Sequence, residues 1–434
     1  MTGVADLILI FGVFLGLLLG GMWIPFAIGI SGITYLVYSD GWDALRALGL
    51  VAWGGMNSFT LTAIPLFILM AELLLKSGIS DRVYRSLAIL VRRLPGGLLQ
   101  TNIAGCAVFS AISGSSVATA AAIGTVALPQ LQERSYDRSM ATGSLAAGGT
   151  LGILIPPSIA MILYGTFTEV SIAKLFAAGL LPGILLALSF MCYIAVTAIR
   201  KPEVAPREAV SASAATILRT VADLLPFVVL IFTVLGGIYF GLVTPTESAA
   251  LGCAMSIVVC RIWGKLDIKV FRSALQHSIM VTGSVMFIVL AAFIFSYAVA
   301  IGGLAINLTQ WLVSLDLSKF GFIFALVIMY TVLGCLVESI GMLVITVPLL
   351  FPVLLQYGID PIWFGVILVL LIELGQITPP LGINLFVIQG IARCNLGEVV
   401  RGALPYYLII LAFVALLAWV PEIALWLPNN MTTR

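Results

Sequence analysis

Gly152–Ala160 reads GILIPPSIA, and Gly375–Ile383 reads GQITPPLGI. Each phrase lies inside a long apolar run, and two adjacent prolines stop a helix that tries to pass through them. In hydrocarbon that stop is costly, because backbone groups released from the helix find no water to bond. Two such stops in nearly the same wording need a reason, and the rest of the chain supplies it.

The chain has 434 residues, of which 61% are hydrophobic and 9% charged, against about 25% charged in an average soluble chain. The clearest apolar segments are Leu7–Leu19, Leu61–Leu75, Leu180–Ile199, Leu224–Val243, Met280–Ile301 and Leu404–Val420. A bilayer crossing takes about 20 residues, so the expected fold is an all-α polytopic membrane protein. A net charge of +2 does not suit nucleic acid. Cys106, Cys192, Cys253, Cys260, Cys335 and Cys394 are scattered without a CxxC and read as packing residues. One histidine, His277, excludes a multi-His metal site and reads as an interfacial residue. No Ser/His/Asp set or catalytic carboxylate pair stands out, so no enzyme is expected. Residues 1–45 hold no Lys or Arg, so the basic region of a signal peptide is missing and the first helix is expected to stay.

Basic residues cluster at Arg82–Arg93, Arg134–Arg138, Arg200–Arg219 and Arg261–Arg272. The positive-inside rule puts these clusters in the cytoplasm. Crossings then fall at Met140–Phe167, Lys174–Ile199, Leu224–Val243 and Glu247–Arg261. The run Gly97–Leu131 begins and ends inside, and each half is too short to cross a core of about 30 Å. It reads as a re-entrant hairpin whose polar tip is Ser113–Ser116 (SGSS). Counting back through Leu61–Leu75, Ile24–Tyr38 and Leu7–Leu19 puts the amino terminus outside.

One constant shift along the chain lays the first proline phrase on the second, with Gly152 on Gly375 and Pro156–Pro157 on Pro379–Pro380. The same shift lays Pro129 on Pro352, Asp137 on Asp360, Gly179 on Gly402 and Pro182 on Pro405. The chain is therefore an internal duplication. The charge pattern makes the second hairpin, Phe320–Leu355, enter from outside, with its tip near Gly334–Gly341 (GCLVESIG). Two copies of opposite orientation form an inverted repeat, and broken helices at matched positions mark the binding site of a secondary transporter. Asp137 and Asp360 read as helix N-terminal carboxylates. The basic amphipathic segment Lys76–Arg93 and its counterpart Ile301–Lys319 are expected to lie along the two interfaces.

Non-helical backbone at membrane depth belongs where it lines a cavity. Carbonyls freed at Gly152–Ile155 and at Gly375–Thr378 can hold a small cation such as Na⁺. Ser113, Ser115 and Ser116 at the first tip, and Glu338 and Ser339 at the second, lie near those carbonyls. The half-helices that start at Pro156–Pro157 and Pro379–Pro380 turn N–H groups and a positive dipole end toward an anion. Glu373 lies one turn before the second break and is a further site candidate. Asn384 could bond freed backbone or contact substrate.

Ser113–Leu131 (SGSSVATAAAIGTVALPQL), Gly149–Ser158 (GTLGILIPPS), Gly358–Val366 (GIDPIWFGV) and Glu373–Val387 (ELGQITPPLGINLFV) resemble the large membrane subunit of tripartite ATP-independent periplasmic transporters. The resemblance covers essentially the whole chain. It implies Na⁺-coupled import of an organic acid, such as a C4-dicarboxylate or sialic acid, into bacteria across the inner membrane. The implied partners are a small four-helix membrane subunit, expected as a separate chain, and a periplasmic substrate-binding protein. It also implies an elevator. Segments 1–96 and 200–319 would form the scaffold and the interfacial arms. Repeats 97–199 and 320–428, with breaks at 152–158 and 375–382, would form the moving block. The first Na⁺ site would use Ser113, Gly114, Ser115, Ser116, Gly152, Ile155 and Pro156. The second would use Gly334, Glu338, Ser339, Gly375, Thr378 and Pro379. The acid would meet Ser116, Pro157, Ser158, Pro380, Gly382 and Asn384. Two rival readings are a self-sufficient Na⁺/dicarboxylate symporter and a channel whose re-entrant tips meet in a continuous pore.

Overall fold

A computed structural model describes residues 2–91, 93–206, 214–380 and 382–431. In the first half the helices are α1 (Thr2–Leu19), α2 (Ile24–Asp40), α3 (Leu48–Met56), α4 (Ala63–Lys76), α5 (Ile79–Val91), α6 (Leu98–Ser113), α7 (Ser116–Glu133), α8 (Arg138–Leu154), α9 (Ile159–Thr168) and α10 (Ile172–Arg200). The second half has α11 (Ala214–Ile231), a π-turn at Phe232–Gly236, α12 (Gly237–Tyr239), α13 (Pro245–Trp263), α14 (Ile268–Ile301) and α15 (Leu304–Ser314). It continues with α16 (Lys319–Gly334), α17 (Ser339–Gln356), α18 (Pro361–Gln376), α19 (Ile383–Ala392), α20 (Leu396–Trp419) and α21 (Glu422–Asn430). Among the described residues, 8 segments are long and apolar enough to cross a membrane.

The duplication runs through the whole chain. Under the shift that lays Gly152 on Gly375, α2, α5, α6, α7, α8, α9 and α10 start within two residues of α13, α15, α16, α17, α18, α19 and α20. The shifted α3 and α4 both fall inside α14. Asn57 and Ser58 break the first copy, Ser58 being extended, because short polar side chains compete with the helical backbone. Met280 and Val281 stand at the matching place in the second copy, and α14 runs unbroken, starting well before the expected Met280. The short α3, with no buried residue, and the terminal α21 were not expected from the apolar runs.

Both expected hairpins form, α6 against α7 and α16 against α17. The two broken helices form the core. In α8, residues Met140–Leu154 are all buried, and in α18 so are Trp363–Gln376; a helix apolar on every side is stable only when enclosed. The copies interlock. Helix α9 packs on α17 and α19 on α7, while α8 packs on α20 and α18 on α10. The α8–α20 crossing is set by glycine: a Cβ on Gly402 would lie 1.9 Å from Ser139 O, and one on Gly143 2.1 Å from Gly402 C. Small residues let membrane helices approach this closely.

Asp137 and Asp360 do cap helices. Asp137 Oδ1 accepts from Met140 N at 2.8 Å, and Asp360 Oδ1 from Ile362 N and Trp363 N at 2.8 and 3.0 Å. The arm α5 buries Ile79, Val83, Tyr84, Leu87 and Ala88 on one face, and Arg82 on its other side meets Asp223 (3.3 Å) and Trp263 O (2.8 Å). His277 is half-exposed and sits 2.8 Å from Glu72 on α4. One expectation is corrected. The second half-helices do not start at the prolines; α9 starts at Ile159 behind the N-cap Ser158, and α19 at Ile383 behind Gly382. The Ser158 hydroxyl accepts from Met161 N (3.4 Å), so the helix is initiated one step after the proline pair.

Removing the Asp360 cap by Asp360→Ala is expected to cost about 1 kcal/mol, read as a lower thermal-unfolding midpoint in detergent. An unchanged midpoint would contradict the cap.

Candidate functional site

A proline has no N–H. In a continuous helix, residues 156 and 157 would donate to the carbonyls of Gly152 and Ile153, so Pro156–Pro157 leave those two oxygens without their donors. Pro379–Pro380 do the same to Gly375 and Gln376, and Thr378 N takes up only the Gly375 carbonyl, at 3.2 Å. Both proline pairs are joined by cis peptide bonds. Ile155 is extended, with its N–H still on Leu151 O at 2.9 Å.

The tip of the first hairpin seats on the first break. Gly114 is left-handed (φ 61°), a conformation that favours glycine, and a Cβ there would be 2.9 Å from Pro157 O. Its carbonyl accepts from Ile159 N at 3.3 Å. A Cβ on Gly152 would be 2.5 Å from Ser115 O. Around Ser115 O, the Thr119 hydroxyl donates to it at 2.8 Å, and the Ser113 and Thr119 hydroxyls are 2.5 Å apart. Ser115 caps α7, accepting from Ala118 N at 3.4 Å. Ser113, Gly114, Ser115 and Ser116 of the tip thus meet Gly152, Pro157 and the start of α9 behind Ser158, whereas Ile155 lies against Gly183 and Pro156 lines a cavity with Phe176 and Leu180, both toward α10.

The second tip seats on the second break with different side chains. A Cβ on Gly334 would be 2.1 Å from Gly375 Cα, so the two glycines let α16 touch α18. Glu338 caps α17, its Oε1 accepting from Ile340 N (3.3 Å) and Ser339 Oγ (3.2 Å). Thr378 Oγ1 donates to Leu374 O at 2.5 Å. Cys335 Sγ is 3.1 Å from Pro379 O and 3.2 Å from Thr331 O. The two breaks differ in access. Ile155–Ser158 are all buried, whereas Pro379 and Pro380 are exposed.

Between the two assemblies, Ser116 Oγ donates to Gln376 Oε1, and Asn384 Nδ2 donates to Ala146 O (3.4 Å). Asn384 is wholly buried, and its Oδ1 has no donor among the described residues. Glu373 is wholly buried, and among the described residues neither of its oxygens has a hydrogen-bond partner. It lies three residues before Gln376, hence on the same face of α18. Ionisable groups inside a membrane mark functional positions by default.

Three residues at these assemblies were missed in the sequence. Thr119 sits one turn into α7, where the spacing from Ser115 to the fourth residue on could have shown it facing the tip. Gln376 is the polar residue inside the quoted phrase itself. Cys335 read as packing only. The N–H groups expected to be free for an anion at the first break are in part taken, Ile159 N by Gly114 O and Met161 N by Ser158. Among the described residues, no three His, Cys, Asp or Glu side chains cluster. The donors at each break are backbone carbonyls and hydroxyls, the oxygen set that unwound transporter helices offer to Na⁺. The cavity beside Pro156, about 560 Å³, is lined by Phe176, Leu180, Phe232 and Leu427 among others and suits acyl chains better than a carboxylate.

Gly152→Ala is expected to force the tip off the break at a cost of about 1–3 kcal/mol. Gly16→Ala on α1, where an added Cβ has nothing within 4 Å, serves as control. Equal unfolding midpoints for the two variants would contradict the seating of tip on break.

The architecture and sequence have known counterparts. The chain is 34% identical over 406 residues to the C4-dicarboxylate TRAP transporter large permease protein DctM of Pseudomonas aeruginosa, covering 93% of this chain and 94% of that one. It is 30% identical over 423 residues to the sialic acid TRAP transporter large permease protein SiaM of Vibrio cholerae, covering 97% of each. The fold matches the crystal structure of the Alcanivorax borkumensis YdaH transporter with a TM-score of 0.65 and 17% identity, over 88% of this chain and 89% of that one, a likeness of fold alone. The family model for the tripartite ATP-independent periplasmic transporter, DctM component, matches residues 11–423. With that match and these relatives, the chain belongs to the tripartite ATP-independent periplasmic transporter family, as a DctM component.

Proposed function

We propose that this permease imports an organic acid by Na⁺ symport, the acid being delivered by a periplasmic binding protein and a small four-helix subunit completing the membrane unit. The observation that carries the reading is the matched pair of assemblies in which a hairpin tip closes over proline-freed carbonyls. Each offers hydroxyl and carbonyl oxygens in close contact. The first Na⁺ site uses Ser113, Gly114, Ser115, Ser116, Gly152, Ile155 and Pro156, joined by Thr119. The second uses Gly334, Glu338, Ser339, Gly375, Thr378 and Pro379.

The acid binds between the breaks, at Ser116, Pro157, Ser158, Pro380, Gly382 and Asn384. α19 opens behind Gly382 with no side-chain cap, so its dipole end is better placed for a carboxylate than that of α9, where Ser158 occupies the first turn. The exposure of Pro379 and Pro380 puts the open side of the site at the second break. Hairpins and broken helices then move as one block against the remaining helices. The setting is a bacterial inner membrane with both chain ends on the periplasmic side. The names of the relatives point to C4-dicarboxylates or sialic acid as cargo, and a C4-dicarboxylate is the first to test. With a dianion, two Na⁺ make the cycle electroneutral; a third would add about 2.3 kcal/mol per 100 mV.

The test is uptake of labelled C4-dicarboxylate into liposomes holding the chain and its small subunit, with and without the binding protein, under an inward Na⁺ gradient. Uptake only when both are present is expected. Uptake with Na⁺ but no binding protein would instead indicate a self-sufficient symporter, and gradient-insensitive equilibration a channel. In the same assay Thr378→Val is expected to raise the Na⁺ concentration for half-activation several-fold; unchanged Na⁺ activation would remove Thr378 from the site.

A further inference from the structure

The two breaks are not independent. Ser116 is the first residue of α7 and follows Ser115, whose carbonyl lies against Gly152. Gln376 is the last residue of α18 and follows Gly375, which lies against Gly334. Their side chains, both buried, are joined by the Ser116 hydroxyl donating to the Gln376 amide oxygen. One hydrogen bond therefore spans from the backbone of the first tip to the backbone of the second break.

The bond has no counterpart under the repeat. The residue matching Ser116 in the second copy is Ser339, whose hydroxyl turns to Glu338 (3.2 Å). The residue matching Gln376 in the first copy is Ile153, which has no side-chain polar group. A duplication needs no such bond to fold both copies, since the second tip seats on the second break without one. Other hydrogen bonds between the copies, among them Tyr164 to Pro361 O, Ser139 to Glu398 O and Asn384 to Ala146 O, lie away from the tips.

We propose that the Ser116–Gln376 hydrogen bond couples the two cation sites, so that a cation at one raises the affinity of the other. A cation held by the first tip fixes the start of α7 and with it the Ser116 hydroxyl. The hydroxyl fixes Gln376, and Gln376 fixes the end of α18 that carries Gly375 and leads to Thr378. The effect runs equally in reverse, because coupling between two binding sites is reciprocal. Gln376 is a positioning residue here and touches neither cation. The inference rests on the proposed reading of the two assemblies as Na⁺ sites.

The experiment is equilibrium binding of radioactive sodium to the full chain in lipid nanodiscs. Wild type is expected to bind with a Hill coefficient well above 1, bounded by the number of sites. Gln376→Met keeps size and removes the acceptor. It is expected to bind the same amount of Na⁺ at saturation, with a Hill coefficient near 1 and a half-saturation raised roughly 2-fold or more, the square root of the lower end of typical coupling. Ser116→Thr, which keeps the hydroxyl, is expected to keep cooperativity; Ser116→Ala removes a group already placed in the first site, so a loss of cooperativity there counts only together with the loss in Gln376→Met. Non-cooperative binding by wild type, or full cooperativity in Gln376→Met or in Ser116→Ala, would overturn the coupling while leaving the sites standing. A wild-type chain that binds no Na⁺ would overturn the sites and the coupling together.

Discussion

Every backbone group at membrane depth must find a partner, and this chain departs from that rule most sharply at its two adjacent-proline breaks. Four proline nitrogens, at 156, 157, 379 and 380, cannot donate, and the carbonyls one turn earlier lose their helical partners. The consequences spread outward. The freed segments must be enclosed, so α8 and α18 are buried on all sides. Enclosure requires something short enough to end at the break, so each break is met by a hairpin tip rather than by a full crossing helix. Tip and break must touch, so glycine stands at each contact, Gly114 and Gly152 in the first, Gly334 and Gly375 in the second. Steric closeness and chemical openness arise from the same residues.

Much of this was legible because the signals are of the strongest kinds. Apolar length marked the crossings, and one constant shift tied the copies together. Asp137 and Asp360 announced the starts of α8 and α18, and both do cap. Legibility failed where a local side chain overruled the general rule. Proline is suited to a helix's first position, yet Ser158 and Gly382 hold that office, because a hydroxyl or a flexible glycine can turn the chain after the proline pair. Asn57 and Ser58 split one helix whose counterpart α14 runs on, which apolar averages do not register. Thr119 and Gln376 were passed over because their importance lies in folded partners, in the case of Gln376 one that stands 260 residues away at Ser116.

At the hairpin tips and the helices they meet, the two copies have kept their element order and changed their side chains. Ser115 and Glu338 occupy the same capping place, one neutral and one acidic. Thr150, whose hydroxyl bonds its own helix at Ala147 O (2.7 Å), corresponds to Glu373, whose carboxyl has no hydrogen-bond partner among the described residues. The first break is sealed and the second reaches the surface.

The most direct measurement is a cryo-EM structure of the chain in nanodiscs, determined once in Na⁺ and once in choline. The account predicts a cation-sized density at each tip-on-break contact in Na⁺, coordinated by Ser115 and Gly152 oxygens in one and by oxygens of the Gly375–Thr378 turn in the other, and neither density in choline. Identical maps in the two salts, with the freed carbonyls bonded only to protein or water, would contradict it.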